Sequence, residues 1–161
     1  MKTRRRAGAL LVSNAGRLLL MKFDFPFLQE QTFWVTAGGG VDDGETFEGA
    51  LRRELYEELN LRVGDVGPVR YFVNKVFRTR SGSEFLSEER YYLVRVAHED
   101  VSLENMEEIE RSRLQQIRWW SADEIQSSSE WFFARGLDRI VKRAITDDLP
   151  SVPQELAGTD S

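Results

Sequence analysis

The sequence predicts one layered domain of the α/β or α+β class, built from strands and at least two helices. The chain has 161 residues, typical of a single domain of about 100–200 residues, and its hydrophobic content of 41% is enough for one core. Segments that favour strands alternate with segments that favour helices. The net charge of −5 is unfavourable for polymeric nucleic acid, and the absence of cysteine excludes disulfides and thiolate metal sites.

The N-terminal part of the chain predicts three strands. Ala7–Val12 and Arg17–Phe23 favour strands, and Ser13–Gly16 between them has the composition of a hairpin turn. The aromatic segment Phe23–Leu28 contains a proline and predicts a loop. Thr32–Thr36 then predicts a short strand that leads into three consecutive glycines. The apolar part of the first strand is too short for a signal peptide or a membrane span.

The clearest helix follows these glycines. Thr46 is suited to the N-cap, because its hydroxyl can accept a hydrogen bond from the first turn. Asn60 is suited to the left-handed residue that closes many helices. Apolar residues recur between them at helical spacing. The sequence therefore predicts a helix that begins after Thr46 and ends at Asn60.

The rest of the chain alternates between strand and helix patterns. The predicted elements are a strand at Pro68–Thr79, a strand at Glu89–Val96, an acidic loop or short helix at Asn105–Arg113, a strand at Leu114–Trp120, a capped helical turn at Ser121–Ile125 and a helix at Glu130–Ile145. Residues 1–146 are thus predicted to form one domain. Residues 147–161 are polar, contain two prolines and predict a flexible C-terminal tail.

The helix between Thr46 and Asn60 carries acids where an amphipathic helix carries apolar residues. At about 100° per residue, Glu54 and Glu58 fall on or beside the apolar stripe, and Glu57 falls on the adjoining flank. Partly buried like charges repel one another unless a positive charge compensates them. Because clustered carboxylate oxygens suit Mg²⁺ or Mn²⁺, a divalent cation is the favoured partner.

Two alternatives to a metal site remain at this point. Arginines could compensate the acids, but Arg52 and Arg53 are expected to point elsewhere, and the acids could also form an ordinary solvated face. The preceding segment favours a functional site, because Gly38–Gly40 and Gly44 allow the backbone to approach a phosphate or a metal. Glu45, at the start of the helix, is expected to pair with Arg53.

The order of these residues resembles the Nudix box, G-x5-E-x7-R-E-U-x-E-E-x-G-U, in which U is a bulky aliphatic residue. Gly39, Glu45 and Arg53–Leu61 match every charged position of this pattern. Asn60 stands in place of the second glycine, and asparagine is the next-best residue for a left-handed position. The chain is therefore similar to the Nudix family along the length of the box.

This resemblance implies a fold, a reaction and a set of roles. The fold would be an α/β/α sandwich with a mixed β-sheet. The reaction would be hydrolysis of a pyrophosphate bond in a nucleoside diphosphate linked to another group. Glu45 and Arg53 would pair and orient the loop and the helix. The residues implied to bind Mg²⁺ or Mn²⁺ are Glu54, Glu57, Glu58 and, through its carbonyl, Gly38.

The sequence leaves open which residue acts as the general base and which residues recognise the substrate. The candidates for the base are Glu54, Glu107, Glu108 and Glu110, with Glu110 preferred among the last three. The candidates for a basic partner of the phosphates are Arg4, Arg5, Arg6 and Arg90. The candidates for stacking on a base are Phe23, Phe25, Phe27, Phe33 and Trp34, although most are expected to be core or loop residues.

A nucleoside triphosphate is the preferred substrate by elimination, since the sequence lacks the additional motifs of the NADH and coenzyme A subgroups. The alternative is a non-catalytic Nudix-fold module that senses a nucleotide, although such modules usually lose glutamates that this box retains. We expect a small-molecule nucleotide as partner, a cytoplasmic location, and neither a polymeric nucleic acid nor a membrane as partner. The sequence leaves the oligomeric state open, and a homodimer is compatible with it.

Overall fold

The computed structural model describes residues 1–25 and 32–156 of the chain. Its elements are β1 (Lys2–Ser13), β2 (Leu18–Asp24), β3 (Thr32–Gly40), α1 (Phe47–Leu59), β4 (Val69–Arg78), β5 (Glu84–Val96), α2 (Glu108–Arg113), β6 (Leu114–Trp120), α3 (Ala122–Ser127), β7 (Phe132–Phe133), α4 (Leu137–Ile145) and β8 (Gln154–Glu155). None of the helices in these ranges is long and apolar enough to cross a membrane. Phe27, and residues 157–161 of the predicted tail, lie outside the described residues.

The strands form one mixed sheet in the order β6-β2-β3-β1-β5-β4-β8, with β7 beside β3. Strand β1 runs parallel to β5 along its whole length, from Lys2 beside Phe85 to Ser13 beside Val96. Its pairing with β3 is antiparallel. Because successive side chains of a strand point to opposite faces, β1 contributes alternate residues to the two sides of the sheet.

A helical layer covers each face of this sheet. On one face, Leu51 and Leu55 of α1 pack in a core cluster with Leu11 of β1, and all three are fully buried. On the other face, Ile140 of α4 packs in a second cluster with Leu10, the preceding residue of β1. Burial of each such side chain contributes about 1.5–3 kcal/mol. The structure thus confirms the α/β/α sandwich with a mixed sheet.

The main difference from the predicted elements lies near the C-terminus. The predicted helix at Glu130–Ile145 is wrong in its first part, because α4 begins only at Leu137. Phe132 and Phe133 instead form β7, which pairs with β3. Gly136 then takes a left-handed conformation with φ of 81°, which turns the chain from the strand into the helix. A contact with a distant strand has overridden the local helical pattern.

The segment after α4 continues along the edge of the sheet. Gln154 pairs in parallel with Tyr71 of β4, and the amide of Leu156 donates to the carbonyl of Phe72 at 2.8 Å. The sequence suggested that residues 147–156 belong to a flexible tail. In the structure the amides of Asp147 and Asp148 donate to carbonyls of α4, and residues 154–156 pair with β4, so both ends of this segment lie against the domain.

Candidate metal centre and substrate cavity

Helix α1 is fixed at both ends as the sequence predicts. The hydroxyl of Thr46 accepts a hydrogen bond from the amide of Gly49 at 2.9 Å. Asn60 takes a left-handed conformation with φ of 55°, and its amide donates to carbonyls of the last turn. The helix therefore presents one flank to the sheet, and this flank carries Glu54 and Glu58.

Three carboxylates converge beside this flank. One oxygen from each of Glu54, Glu58 and Glu110 lies within 4.8 Å of the other two. Glu54 and Glu58 are only 7% and 3% exposed, and Glu110 is brought to them by α2 and is half-buried. Its neighbours Glu107 and Glu108 are exposed. Of the later acids considered as candidates, the structure therefore brings Glu110 to the flank of α1 that carries Glu54 and Glu58.

Two glycines of β3 allow the strand to approach these acids. The amide of Gly38 donates to Oε1 of Glu58 at 2.8 Å. A Cβ atom on Gly38, whose φ is 137°, would lie 2.0 Å from the carbonyl oxygen of Ala7. A Cβ atom on Gly39 would lie 2.3 Å from the carboxyl carbon of Glu54. Any larger residue would push the strand away from the carboxylates, so the site requires glycine at both positions.

Burial raises the pKa values of all three carboxyls. Burial is the main reason why the pKa of Glu54 rises to about 7, and the charge of Glu110 raises it further. Burial also raises the pKa of Glu58 well above its usual range, although the hydrogen bond from Gly38 opposes this shift. The pKa of Glu110 is raised by burial and by the charge of Glu107. The three groups therefore resist being charged together unless a cation joins them.

Arg53 makes ion pairs with acids on both sides of it. Its Nε and Nη2 donate to the two carboxylate oxygens of Glu45, at 2.8 and 2.9 Å. Its Nη1 lies 3.0 Å from Glu54 and 3.3 Å from Glu57. Its Nη2 also donates to the carbonyl of Gly40 at 2.8 Å. The hydrogen bonds from Arg53 are the main reason why the pKa of Glu45 falls to about 2.

These contacts correct one expectation and refine another. The expectation that Arg53 points away from the acids is wrong, because its long side chain reaches Glu45, Glu54 and Glu57 from the same position. Glu57 was expected to be a metal ligand together with Glu54 and Glu58; its carboxylate lies 3.3 Å from Nη1 of Arg53, and the acid whose oxygen converges with those of Glu54 and Glu58 is Glu110. Arg53 therefore supplies part of the positive charge that the sequence assigned to a metal.

The donor set nevertheless suits a hard divalent cation. Arg53 carries one positive charge and already neutralises Glu45, so the buried carboxylates of Glu54 and Glu58 and the half-buried one of Glu110 exceed what it can compensate. Carboxylate oxygens at this spacing are ligands of the kind that Mg²⁺ and Mn²⁺ prefer. The residues that could hold such an ion are Glu54, Glu58 and Glu110.

A cavity of about 340 Å³ opens beside the carboxylates. Glu58 and Glu110 form part of its wall, and Arg4, Arg6 and Arg113 form another part. The aromatic residues that line it are Phe23, Phe25, Phe33, Phe77, Phe85 and Phe133. The volume is within the range of about 300–1,000 Å³ that is usual for small-molecule sites. Cationic and aromatic groups around one cavity can hold an anion and a flat ring together.

The remaining candidates divide between this cavity and other parts of the molecule. Arg90 is exposed and its guanidinium lies 4.1 Å above the ring of Phe47, away from the residues that line the cavity. Arg5 lies at the surface, 4.0 Å from Asp43. Trp34 is 1% exposed and belongs to a core cluster, so it packs rather than stacks on a ligand.

Sequence reasoning missed a polar group on the wall of the cavity. Ser87, Glu89 and Tyr91 alternate along β5 and therefore share one face. Glu89 lies beside Arg6 in the parallel pairing of β1 with β5. Polar residues at every second position of a strand were the signal that could have identified this group. The signal does not show that the group lies beside Arg6, because Arg6 is far away along the chain.

Comparison with known proteins agrees with the fold and with the box. The NUDIX domain family model matches residues 2–143 of this chain. An RNA pyrophosphohydrolase from Aeromonas hydrophila is 41% identical over 63 residues, which cover 39% of this chain and 33% of that protein. The matched segment therefore spans about a third of that relative's length.

Solved structures of similar fold cover most of the chain. The MutT protein from Methanosarcina mazei has a TM-score of 0.65 at 18% identity, covering 89% of this chain and 96% of that one. The MutT NUDIX hydrolase from Burkholderia pseudomallei has a TM-score of 0.63 at 24% identity, covering 88% and 96%. At these identities the similarity establishes the shared fold.

Proposed function

This chain belongs to the Nudix family, and on that basis we propose that it is a divalent-metal-dependent enzyme that hydrolyses a pyrophosphate bond in a nucleotide. The observation that carries the proposal is the convergence of Glu54, Glu58 and Glu110 beside a cavity that also presents arginines and aromatic rings. A nucleotide has a strongly anionic end and a flat ring at the other end. The cavity offers a chemically matching partner for each.

The metal would be held by the convergent acids. Glu54, Glu58 and Glu110 would bind Mg²⁺ or Mn²⁺, with Glu57 and the carbonyl of Gly38 as the further ligands that the family resemblance implies. When bound, such an ion screens the negative charge of phosphates and lowers the pKa of a coordinated water. Glu110 is the proposed acceptor of the proton from the attacking water, because it is half-buried and lines the cavity.

The other residues of the site position these groups and bind the substrate. Arg113, on the same helix as Glu110, lines the cavity and would bind the phosphate oxygens, whereas Arg4 and Arg6 line it beside Ser87 and Glu89. The pair of Arg53 with Glu45 ties the segment before α1 to the helix and so fixes the direction of Glu54. These contacts hold the carboxylates in place before any ligand arrives.

A nucleoside triphosphate is the proposed substrate class. Its compact form suits a cavity of about 340 Å³. The relative named RNA pyrophosphohydrolase makes a second class relevant, since a pyrophosphate bond in RNA lies at its 5′ end. The net charge of −5 is unfavourable for binding a long RNA, so the free nucleotide takes precedence. We also propose a cytoplasmic location, where such nucleotides are available.

The test is a hydrolysis assay with and without Mg²⁺ or Mn²⁺. The panel contains nucleoside triphosphates, nucleotide sugars, dinucleotides and an RNA oligonucleotide with a 5′-triphosphate, and released phosphate and pyrophosphate are measured. We expect metal-dependent turnover of at least one triphosphate. Hydrolysis in ¹⁸O-labelled water would identify the phosphorus that is attacked.

A pair of variants gives the assay its control. Glu58→Gln keeps an oxygen for the amide of Gly38 but loses the charge, and should lower kcat by about 10³-fold. Asp123→Asn removes an exposed carboxylate on α3 and should leave kcat unchanged. Tight nucleotide binding without turnover across the panel would contradict the proposal and favour the sensing module.

A further inference from the structure

Strand β5 places a second buried carboxylate in the wall of the cavity. Glu89 is 5% exposed and lines the cavity together with Ser87. One of its carboxylate oxygens accepts a hydrogen bond from the hydroxyl of Ser87 at 2.8 Å, and the other accepts one from the hydroxyl of Tyr91. Two hydroxyls from the same face of the strand thus hold this carboxylate in one orientation.

Glu89 is separate from the metal-binding acids. It lies beside Arg6 on β1, and Arg6 lies beside Gly40 on β3, so β1 stands between Glu89 and the glycine segment. Two strand spacings put the backbone of Glu89 roughly 10 Å from that of Gly40. A ligand whose phosphates lie against the acids of α1 would reach Glu89 only with its other end.

Within residues 1–25 and 32–156, the hydrogen bonds to the carboxylate of Glu89 come from Ser87 and Tyr91, which leaves it with further hydrogen-bonding capacity. Each oxygen of an ionised carboxylate has two lone pairs, and the hydroxyls of Ser87 and Tyr91 occupy one on each oxygen. One further donor per oxygen would complete the group. Because the two oxygens are adjacent, they match a ligand edge that carries two adjacent N–H donors.

Aromatic rings line the same cavity as this carboxylate. Phe85, on the same face of β5, is stacked on Phe77 with ring centroids 5.6 Å apart, and Phe133 lies 5.5 Å from Phe77. All three rings line the cavity. Stacking on such rings is favourable for any nucleobase and does not distinguish one base from another. Discrimination must therefore come from the polar edge.

We propose that Glu89 selects nucleobases that present two adjacent N–H donors, as the N1–H and 2-amino groups of guanine do. This inference rests on the proposed function for the class of ligand, a nucleotide, and is independent of catalysis. Adenine presents an acceptor nitrogen on the corresponding edge, which would face the lone pairs of Glu89. A buried polar group that is left without its partner gives strong discrimination.

The first experiment measures the affinity of the unmodified chain for GMP, IMP and AMP by calorimetry, with no metal present. The three share the sugar and the phosphate, so differences between them report on the base alone. IMP keeps the N1–H group and lacks the 2-amino group. GMP should bind about 10-fold or more tightly than AMP, with IMP between them, since each charge-assisted hydrogen bond is substantial. Equal affinity for all three would overturn the proposal.

The second experiment removes the charge. Glu89→Gln should weaken GMP binding by about 10- to 100-fold and leave AMP binding within about twofold. Glu88→Gln is the matched control, because this neighbouring carboxylate points to the opposite face of β5 and should leave all three affinities unchanged. If Glu89 only balances the charge of Arg6, Glu89→Gln would lower the affinities for all three nucleotides equally, and the proposal would fail.

These measurements separate this inference from the proposed function. The series with GMP, IMP and AMP needs no variant, so it decides the matter even if Glu89→Gln does not fold. Absence of hydrolysis for every nucleotide would contradict the proposed function and leave the order of affinities intact. Efficient hydrolysis together with equal affinities would contradict the role of Glu89 alone.

Discussion

The acids on the two sides of Arg53 have opposite environments. In what we call the paired region, Glu45 receives two hydrogen bonds from Arg53, which hold its pKa near 2. In what we call the convergent region, formed by Glu54, Glu58 and Glu110, burial and repulsion raise the pKa values, that of Glu54 to about 7. The same type of side chain is thus stabilised as an anion in one region and destabilised in the other.

This difference separates the part of the site that supports the fold from the part that we propose to bind a metal ion. A carboxylate whose charge is already neutralised within the protein gains little from binding a cation. Charges that are buried together without full compensation lower the stability of the metal-free protein, and a bound ion would relieve that repulsion. Variants in the two regions should therefore differ in the sign of their effect on stability.

The largest expected effect is on catalysis in the convergent region. Glu54→Gln keeps an oxygen for Arg53 but removes a negative charge, and it should lower kcat with Mg²⁺ by about 10³-fold. The same change should raise the melting temperature of the metal-free protein near pH 8, because it removes a charge that is repelled there. Steady-state kinetics and calorimetry measure the two effects. A lower melting temperature would contradict the comparison.

A change in the paired region should reduce both activity and stability. Arg53→Ala removes the hydrogen bonds to Glu45 and Gly40 and leaves those acceptors without their donor, so it should cost about 2 kcal/mol of unfolding free energy. Arg52→Ala is the matched control, since Arg52 is exposed on the same helix. Denaturant unfolding of the two variants gives the comparison. Equal stabilities would show that the Arg53 contacts do not support the fold.

The pH dependence of stability sharpens the contrast. The pKa of Glu54 rises from 4.5 to about 7 on folding. The stabilisation of the folded state by this group is therefore fully present below pH 4.5 and is lost as pH rises through 7. The pKa of Glu45 falls from 4.5 to about 2, so its contribution is present above pH 4.5 and is lost as pH falls toward 2.

Melting curves of metal-free variants test these opposite windows. The melting temperature of Glu54→Gln minus that of the unmodified chain should be near zero at pH 4 and should grow to several degrees at pH 8. Glu45→Gln should be less stable than the unmodified chain at pH 8 and should approach it near pH 2. Addition of Mg²⁺ at pH 8 should reduce the difference in melting temperature between Glu54→Gln and the unmodified chain. If the difference in melting temperature from the unmodified chain changed with pH in the same direction for both variants, the opposite pKa shifts of Glu54 and Glu45 would be contradicted.

Local sequence features explain why the helix and two of its acids could be predicted. The caps at Thr46 and Asn60 and the helical periodicity involve neighbours along the chain, so they place Glu54 and Glu58 on the inner flank without knowledge of the fold. The box pattern then identifies the family. Glu110 could be proposed only as one of several later acids, since its approach to α1 depends on where α2 packs.

The wall of the cavity depends on pairing between distant strands. Arg6 and Glu89 are neighbours because β1 pairs in parallel with β5, and parallel pairs are joined by long connections that a sequence pattern does not specify. The contact of Arg53 with Glu54 and Glu57 was missed for another reason. A helical projection gives the direction of the Cα–Cβ bond and does not show how far a flexible arginine can reach along the helix.

The smallest expected effect concerns Asn60, the one departure from the family box. Its left-handed conformation was predicted, but its side chain also donates to Glu104 at 2.9 Å and accepts from Asn105 at 2.8 Å. These exposed contacts tie the end of α1 to the segment that leads into α2, which carries Glu110. Asn60→Gly should change stability by less than about 1 kcal/mol, because glycine favours the left-handed conformation while the side-chain bonds are lost.

Kinetics should show what the loss of these contacts does to Glu110. Asn60→Gly should lower kcat by about 2- to 10-fold if the contacts hold the start of α2 in place. Asn105→Ala removes the bond to Asn60, together with a bond to the carbonyl of Tyr56, and leaves the left-handed residue unchanged, so it should reproduce most of the kinetic effect. If both variants keep the kcat of the unmodified chain, the asparagine serves only as a helix cap, and the position of Glu110 is set by the packing of α2 alone.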